Sequence, residues 1–228
     1  MGHIGPGEGD TVTMPAPKIV YGAGSSGKHT SELSRTQAAD LLNLSLSGVD
    51  RLLQSGYLPD LKIGRVLHLA EAAFVRAVDQ DIPVLRQVEA RGGRLDADRA
   101  SMGDSARLSD AEVVEVNRGW WRCDPEAVCA AGVLPMTRSG FFTAVLRIDA
   151  LEATQTVLVE AEGTRKPYTE VRHRFTARLA GRVRGLGDSE TYWVNPEIEP
   201  DYRELTAFLL GNRSAAKSDG PIAYLPRD

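Results

Sequence analysis

The sequence predicts an α+β fold, a small helix-rich head followed by a mixed α/β domain with an antiparallel sheet. Three observations carry that expectation. Between Ser31 and Asp79, apolar residues recur every three or four positions beside capping residues. Beyond Ser109, β-branched and aromatic runs dominate, including one long stretch of period two. A segment rich in Gly, Asp, Ser and Arg, from Gly92 to Ser109, reads as the linker between them. The chain has 228 residues, 42% hydrophobic and 25% charged, a globular composition. No run approaches the ~18 apolar residues of a membrane span. The start has neither the basic nor the apolar region of a signal peptide. Two cysteines, Cys123 and Cys129, are too few for a disulfide scaffold, which points to a reducing cytoplasm.

Residues 1–30 carry seven glycines and three prolines and read as a flexible arm, too poor in apolar surface to offset chain entropy. Within it, Gly22-Ala23-Gly24-Ser25-Ser26-Gly27-Lys28 satisfies two phosphate-loop patterns at once. His29 stands where such a loop needs a magnesium-binding Ser or Thr, and no helix begins there to face a phosphate, so a nucleotide site is rejected.

The head occupies residues 31–80. Ser34 and Gln37 form a capping box ahead of Ala38, Leu41 and Leu42, one apolar helix face. After a break at Asn43-Leu44, a second helix begins near Ser45 or Ser47. It buries Leu46, Val49, Leu52 and Leu53 and ends at Gly56. Two short helices joined by a three- or four-residue turn match a DNA-reading unit. Tyr57–Ile63 and Val66–Leu69 read as two strands around Gly64-Arg65, a β-hairpin wing. Residues 70–78 read as a third helix.

As an ordered set, Arg35-Thr36-Gln37-Ala38-Ala39-Asp40-Leu41-Leu42, Val49-Asp50-Arg51-Leu52-Leu53-Gln54-Ser55-Gly56-Tyr57-Leu58-Pro59 and Lys62-Ile63-Gly64-Arg65 resemble the excisionase/MerR-like winged helix-turn-helix family, over residues 34–78. The resemblance implies that the second helix enters the major groove and that basic wing residues touch backbone or minor groove. Carried over by position, it places Arg35, Ser45, Ser47 and Arg51 at the DNA, with Lys62 and Arg65 on the wing. Leu46 and Asp50 depart from the basic and polar residues usual there. The implied function is that of a sequence-specific DNA-binding transcriptional regulator. The arrangement of the whole chain also resembles that of VapB-like antitoxins, a DNA-binding head followed by a toxin-binding segment. A cognate toxin protein and an autoregulated toxin–antitoxin operon are therefore implied as well.

Charge bears on that reading. Residues 31–80 hold five basic and six acidic side chains, whereas duplex-binding domains are usually basic. Three phosphate contacts per subunit give a salt slope of about −2.7, so a homodimer is expected. A winged helix kept for contacts between proteins is the alternative.

Residues 81–108 read as a connecting helix, Pro83 to Ala90, and the linker. In residues 109–228, a dimerisation or partner-binding domain, Ser109 and Glu112 form a second capping box. Trp120 and Trp121 follow, one expected in the core and the other at an edge. Asp124-Pro125 begins a helix closed by Gly132, with Cys123 and Cys129 at small buried positions. Phe141–Ile148, Thr156–Val159 and Tyr192–Val194 read as strands, and Pro200–Leu210 as a helix stopped by Gly211. Val171 to Leu179 alternates apolar residues and arginines, the pattern of a strand, although its four-residue apolar recurrence also fits a helix. Arg172, Arg174 and Arg178 form a candidate face for nucleic acid or an acidic partner. Alternatively, the acidic segment that follows neutralises them. Such a face would suit an enzyme or nucleic-acid-processing module, the competing class. No set of nucleophile, base or metal ligands can be nominated, and no cofactor is expected.

Overall fold

The computed structural model describes residues 32–87, 91–96, 99–159, 167–216 and 220–227. The arm and its glycine-rich loop lie outside the described residues. Three helices open the chain: α1 (Arg35–Leu42), α2 (Leu46–Gln54) and α3 (Ile63–Ala70). Strands β1 (Phe74–Val75) and β2 (Pro83–Arg86) follow, then an antiparallel pair, β3 (Arg91–Asp96) and β4 (Arg99–Met102). Next come α4 (Asp110–Asn117), β5 (Gly119–Trp121), α5 (Pro125–Ala131) and β6 (Val133–Arg138). The long strands β7 (Phe141–Val159) and β8 (Tyr168–Val183) precede β9 (Tyr192–Val194). Helix α6 (Pro200–Leu209), β10 (Arg213–Ser214) and β11 (Ile222–Tyr224) complete the α+β order.

Nine strands form one mixed sheet, with β3 and β4 apart from it. Most pairs are antiparallel, but β2 runs parallel to β6 and β1 to β10. The sheet is therefore mixed where an antiparallel one was expected. Strand β7 is its spine, pairing with β6 from Phe141 to Arg147 and with β8 from Ala144 to Val159. Past Ile148 its outer edge leaves β6, and β7 and β8 continue together. Register shifts near Val145, Ile148 and Leu151 bend and twist the pair. Val171–Leu179 is strand, so the period-two reading holds.

From Ala144 to Ile148, residues of β7 point alternately to opposite faces and build separate cores, while the register shift before Ala144 leaves both Phe141 and Phe142 in the first of them. Phe141, Phe142 and Val145 join Val183 and Leu209 under the three N-terminal helices, whose Ala38, Leu42, Val49, Leu52, Val66 and Leu69 belong to the same cluster. Leu146 and Ile148 join Val113, Trp121, Val128, Leu134 and Phe175 on the other side.

Four expectations are corrected. The wing hairpin is absent: α3 occupies Ile63–Ala70, because Val66 and Leu69 lie three apart on one buried helical face while Ile63 and Leu67 face outward. The helix expected over residues 70–78 thus lies one element earlier, and Phe74–Val75 is a strand beside β10. Residues 83–86 are a strand rather than a helix. Val84 and Leu85 are both buried because β2 lies between β6 and β11 and is covered on both faces. Part of the segment read as a linker pairs as β3–β4, and Asp104, within the same segment, is fully buried.

Candidate nucleic-acid interface

The turn between α1 and α2 is built by its caps. Ser34 Oγ accepts from the Gln37 amide, and Gln37 Oε1 accepts from the Ser34 amide at 2.9 Å. Asn43 ends α1 in the left-handed region at φ 49°, a conformation asparagine tolerates well. Ser45 then caps α2, its hydroxyl accepting from the Gly48 amide at 3.1 Å. This sets the first turn of α2 outward, with Ser45, Leu46, Ser47 and Arg51 exposed. Ser45 Oγ lies 2.9 Å from Ser47 Oγ, and Arg51 Nη2 donates to Ser47 Oγ at 3.3 Å. The structure thus brings together three of the residues expected at the groove.

Three other basic residues of the head, Arg35, Lys62 and Arg65, are compensated. Arg35 Nε pairs with Asp50 at 3.4 Å, and Lys62, capping α3, meets Asp60 at 3.3 Å. Burial opposes ionisation of Asp60, but Lys62 and Arg65 outweigh it and hold the carboxyl below its ordinary range. Arg65 is not a wing residue. It is largely buried, donating to Asp60 at 3.1 Å and to the Leu186 carbonyl at 3.0 Å, and so ties α3 to the segment after β8. Arg51 differs, since its side chain bonds only to Ser47 among the described residues.

Arg172, Arg174 and Arg178 do share one side of β8, and each carries its own carboxylate. Arg172 Nε donates to Glu170 at 2.6 Å. Arg174 meets Glu115 and Glu152, both at 3.4 Å, and lies over the Trp120 ring. Arg178 grips both oxygens of Asp149 and reaches Glu199 at 3.4 Å. Its hydrogen bond to Asp149 raises the guanidinium's pKa. Part of the acidic stretch after β8 does meet basic partners: Glu199 also pairs with Arg147, and Asp188 lies 3.9 Å from Arg65.

The tryptophans divide as expected: Trp121 is buried, with its indole N–H donating to the Asn117 carbonyl, and Trp120 is half-buried. His173 is buried, with Nδ1 3.0 Å from Thr154 Oγ1. Cys129 is exposed rather than buried, on the outer side of α5. Burial pushes the Cys123 thiol up to about 12, far from a reactive thiolate.

Sequence reasoning missed one polar cluster. Tyr57 Oη donates to Asp104 Oδ2 at 2.6 Å, and Thr143 Oγ1 donates to the same oxygen at 3.2 Å. Arg182, 1% exposed, donates to the carbonyls of Ala106 and Leu108 and to Asp110. No sequence signal marks it, because its members lie on four segments far apart in the chain.

No helix among the described residues is long and apolar enough to cross a membrane. Comparison with protein families, with curated proteins and with solved structures finds no match.

Proposed function

We propose that the chain is a DNA-binding regulator that reads the major groove with the first turns of α2. One observation carries this reading: Ser45, Ser47 and Arg51 stand together on an exposed, well-capped helix start, and Arg51 has no carboxylate partner among the described residues. A guanidinium free of carboxylates is available for a phosphate or for a guanine edge. Arg35 and Lys62 supply weaker contacts, since each must leave or share an acidic neighbour. Two copies on a two-fold site would offset the modest charge of a single head.

Fluorescence anisotropy on the full chain, with the DNA upstream of its gene and a scrambled duplex, tests the proposal across a salt series. Selective binding is expected. Arg51→Ala is expected to weaken it and to lower the salt slope by about 0.9 per copy if the contact is to phosphate. Equal, weak binding to both duplexes, unchanged by Arg51→Ala, would refute the proposal.

A further inference from the structure

Strand β7 runs past the body of the sheet. Its last bond on the β6 side joins the Ile148 amide to the Gly132 carbonyl at 2.9 Å. From Ala150 to Val159 it pairs only with β8 among the described residues. The opposite edge of this segment therefore offers a row of backbone N–H and C=O groups without a strand partner. The other free edges of the sheet offer less, since β1, β5, β9 and β11 are each two or three residues long. Short edges protect a sheet against pairing with another chain.

The sequence of the β7 edge does nothing to blunt it. Ala153-Thr154-Gln155-Thr156-Val157-Leu158-Val159 carries no charge, no proline and no glycine, and its register with β8 is unbroken. Charges, prolines and bulges are the usual means of keeping such an edge unpaired. The free edge of β8 across the ribbon has them: Glu170 and Arg172 stand there, with Arg122 3.9 Å from Glu170. Just before the uncharged run, Glu152 is neutralised within its own chain by Arg118 and Arg174. One face of the ribbon is also uncovered. Thr154, Thr156 and Leu158 lie beside His173, Val171 and Thr169 in register. All but His173 are exposed, Leu158 by 63%.

We propose that this edge pairs with the same edge of a second copy of the chain, antiparallel about a two-fold axis at Thr156. Thr156 then faces its own counterpart, Gln155 faces Val157, Thr154 faces Leu158 and Ala153 faces Val159. Residues that face one another share a side of the sheet, so the exposed Thr154, Thr156 and Leu158 of both copies form one surface. The threonine pair at the axis supplies a cross-strand hydrogen bond, and none of the seven residues brings a charge to the interface. A second copy fits because a two-fold contact needs only one self-complementary edge. The two ribbons become a continuous four-stranded sheet. A seven-residue edge is about 24 Å long, small beside a standard interface, so association is expected to be weak and reversible. One consequence rests on the proposed DNA-binding function: the dimer supplies the two heads that a two-fold DNA site needs.

Sedimentation velocity on the full chain, from low micromolar to submillimolar concentration, tests the interface without DNA. A reversible monomer–dimer equilibrium is expected. Thr156→Lys and Thr156→Glu each set like charges face to face at the axis, and each should weaken dimerisation about tenfold. An equimolar mixture of the two variants should recover it, because Lys then faces Glu. Thr156 is exposed, so both variants should keep the fold, which circular dichroism checks. A chain monomeric at every concentration, or a dimer indifferent to both charges, would overturn the interface. A mixture no tighter than its components would overturn it too. Anisotropy then tests the consequence: each variant alone should bind DNA more weakly, and the mixture should recover affinity. Monomeric variants that bind DNA as tightly as the wild-type chain would overturn the consequence alone. A dimer that binds no duplex under any condition would instead refute the regulator reading and leave the interface standing.

Discussion

Asp104 occupies a position where a carboxylate is expensive. It is fully buried, and although Tyr57, Thr143 and the nearby Arg182 favour its charged form, burial dominates and raises its pKa. The folded state therefore holds this proton at pH values where the unfolded chain has released it. Stability from the group is complete below the unfolded value of about 4. It is lost as pH rises through the raised folded value. Asp104→Asn keeps an acceptor for Tyr57 and Thr143 and removes the titration. Denaturant midpoints at pH 4.5 and 7.5 should thus shift in its favour as pH rises; an unchanged difference between the two proteins would mean that Asp104 stays ionised. Arg65 allows a second residue-scale test. Arg65→Ala should cost about 1–3 kcal/mol, as buried charged hydrogen bonds do, while leaving the salt slope of DNA binding unaltered. Chemical denaturation and the anisotropy series check the two halves separately. Neither role was legible in the sequence. Arginine is rarely fully buried, and nothing local to Arg65, Arg182 or Asp104 shows that each is fixed by groups on distant segments.

Elements whose ends are set by local chemistry were legible. Ser34 with Gln37, Ser109 with Glu112, and Asp124 with Gly132 all cap the helices they were expected to cap, because a cap needs partners only three or four residues away. The outward serines and arginine of α2 were placed by the resemblance instead, and Leu46 beside them, expected in the core, is exposed as well. The stretch from Tyr57 to Ala70 was not legible. Its apolar residues fit both a period of two and a period of three to four, and the choice fell to packing of Val66 and Leu69 against distant parts of the core. Ser109→Ala should remove the hydroxyl that accepts from the Glu112 amide and cost about 1 kcal/mol in thermal or urea unfolding. A loss near zero would mean that Glu112 alone holds the α4 start. Where elements cross, tolerance is lower. A Cβ on Gly181 would lie 2.6 Å from Thr206 Cγ2 on α6 and 2.7 Å from the Trp193 carbonyl on β9. Gly181→Ala should cost about 1–3 kcal/mol, as overpacking does, and lower the urea midpoint. A neutral result would show that α6 can move away from β8.

At the scale of the molecule, one core runs from the N-terminal helices into the sheet, and residues 31–228 form one compact unit. The contacts that cross the boundary expected near residue 80 are of several kinds. Leu42, Leu52 and Leu69 share a cluster with Phe141, Phe142, Val183 and Leu209. The Leu186 amide donates to the Tyr57 carbonyl at 2.7 Å, and the Ala106 amide to the Ser55 carbonyl at 3.0 Å. Tyr57 itself is hydrogen-bonded to Asp104. A head sharing this much buried surface cannot melt without exposing Phe141 and Phe142. Folding is therefore predicted to be a single cooperative transition. The three tryptophans all lie in strands of the sheet and report chiefly on it, whereas far-UV circular dichroism includes the helices of the head. The two signals should give coincident urea curves, and residues 81–228 expressed alone should lack a cooperative transition. An earlier dichroism transition, or a fragment that melts cooperatively, would show that the helices are separable. Cooperativity also determines how the DNA proposal must be tested. Deleting the head would unfold the sheet it covers and abolish binding for a trivial reason, whereas Arg51→Ala alters one exposed side chain and leaves the core intact.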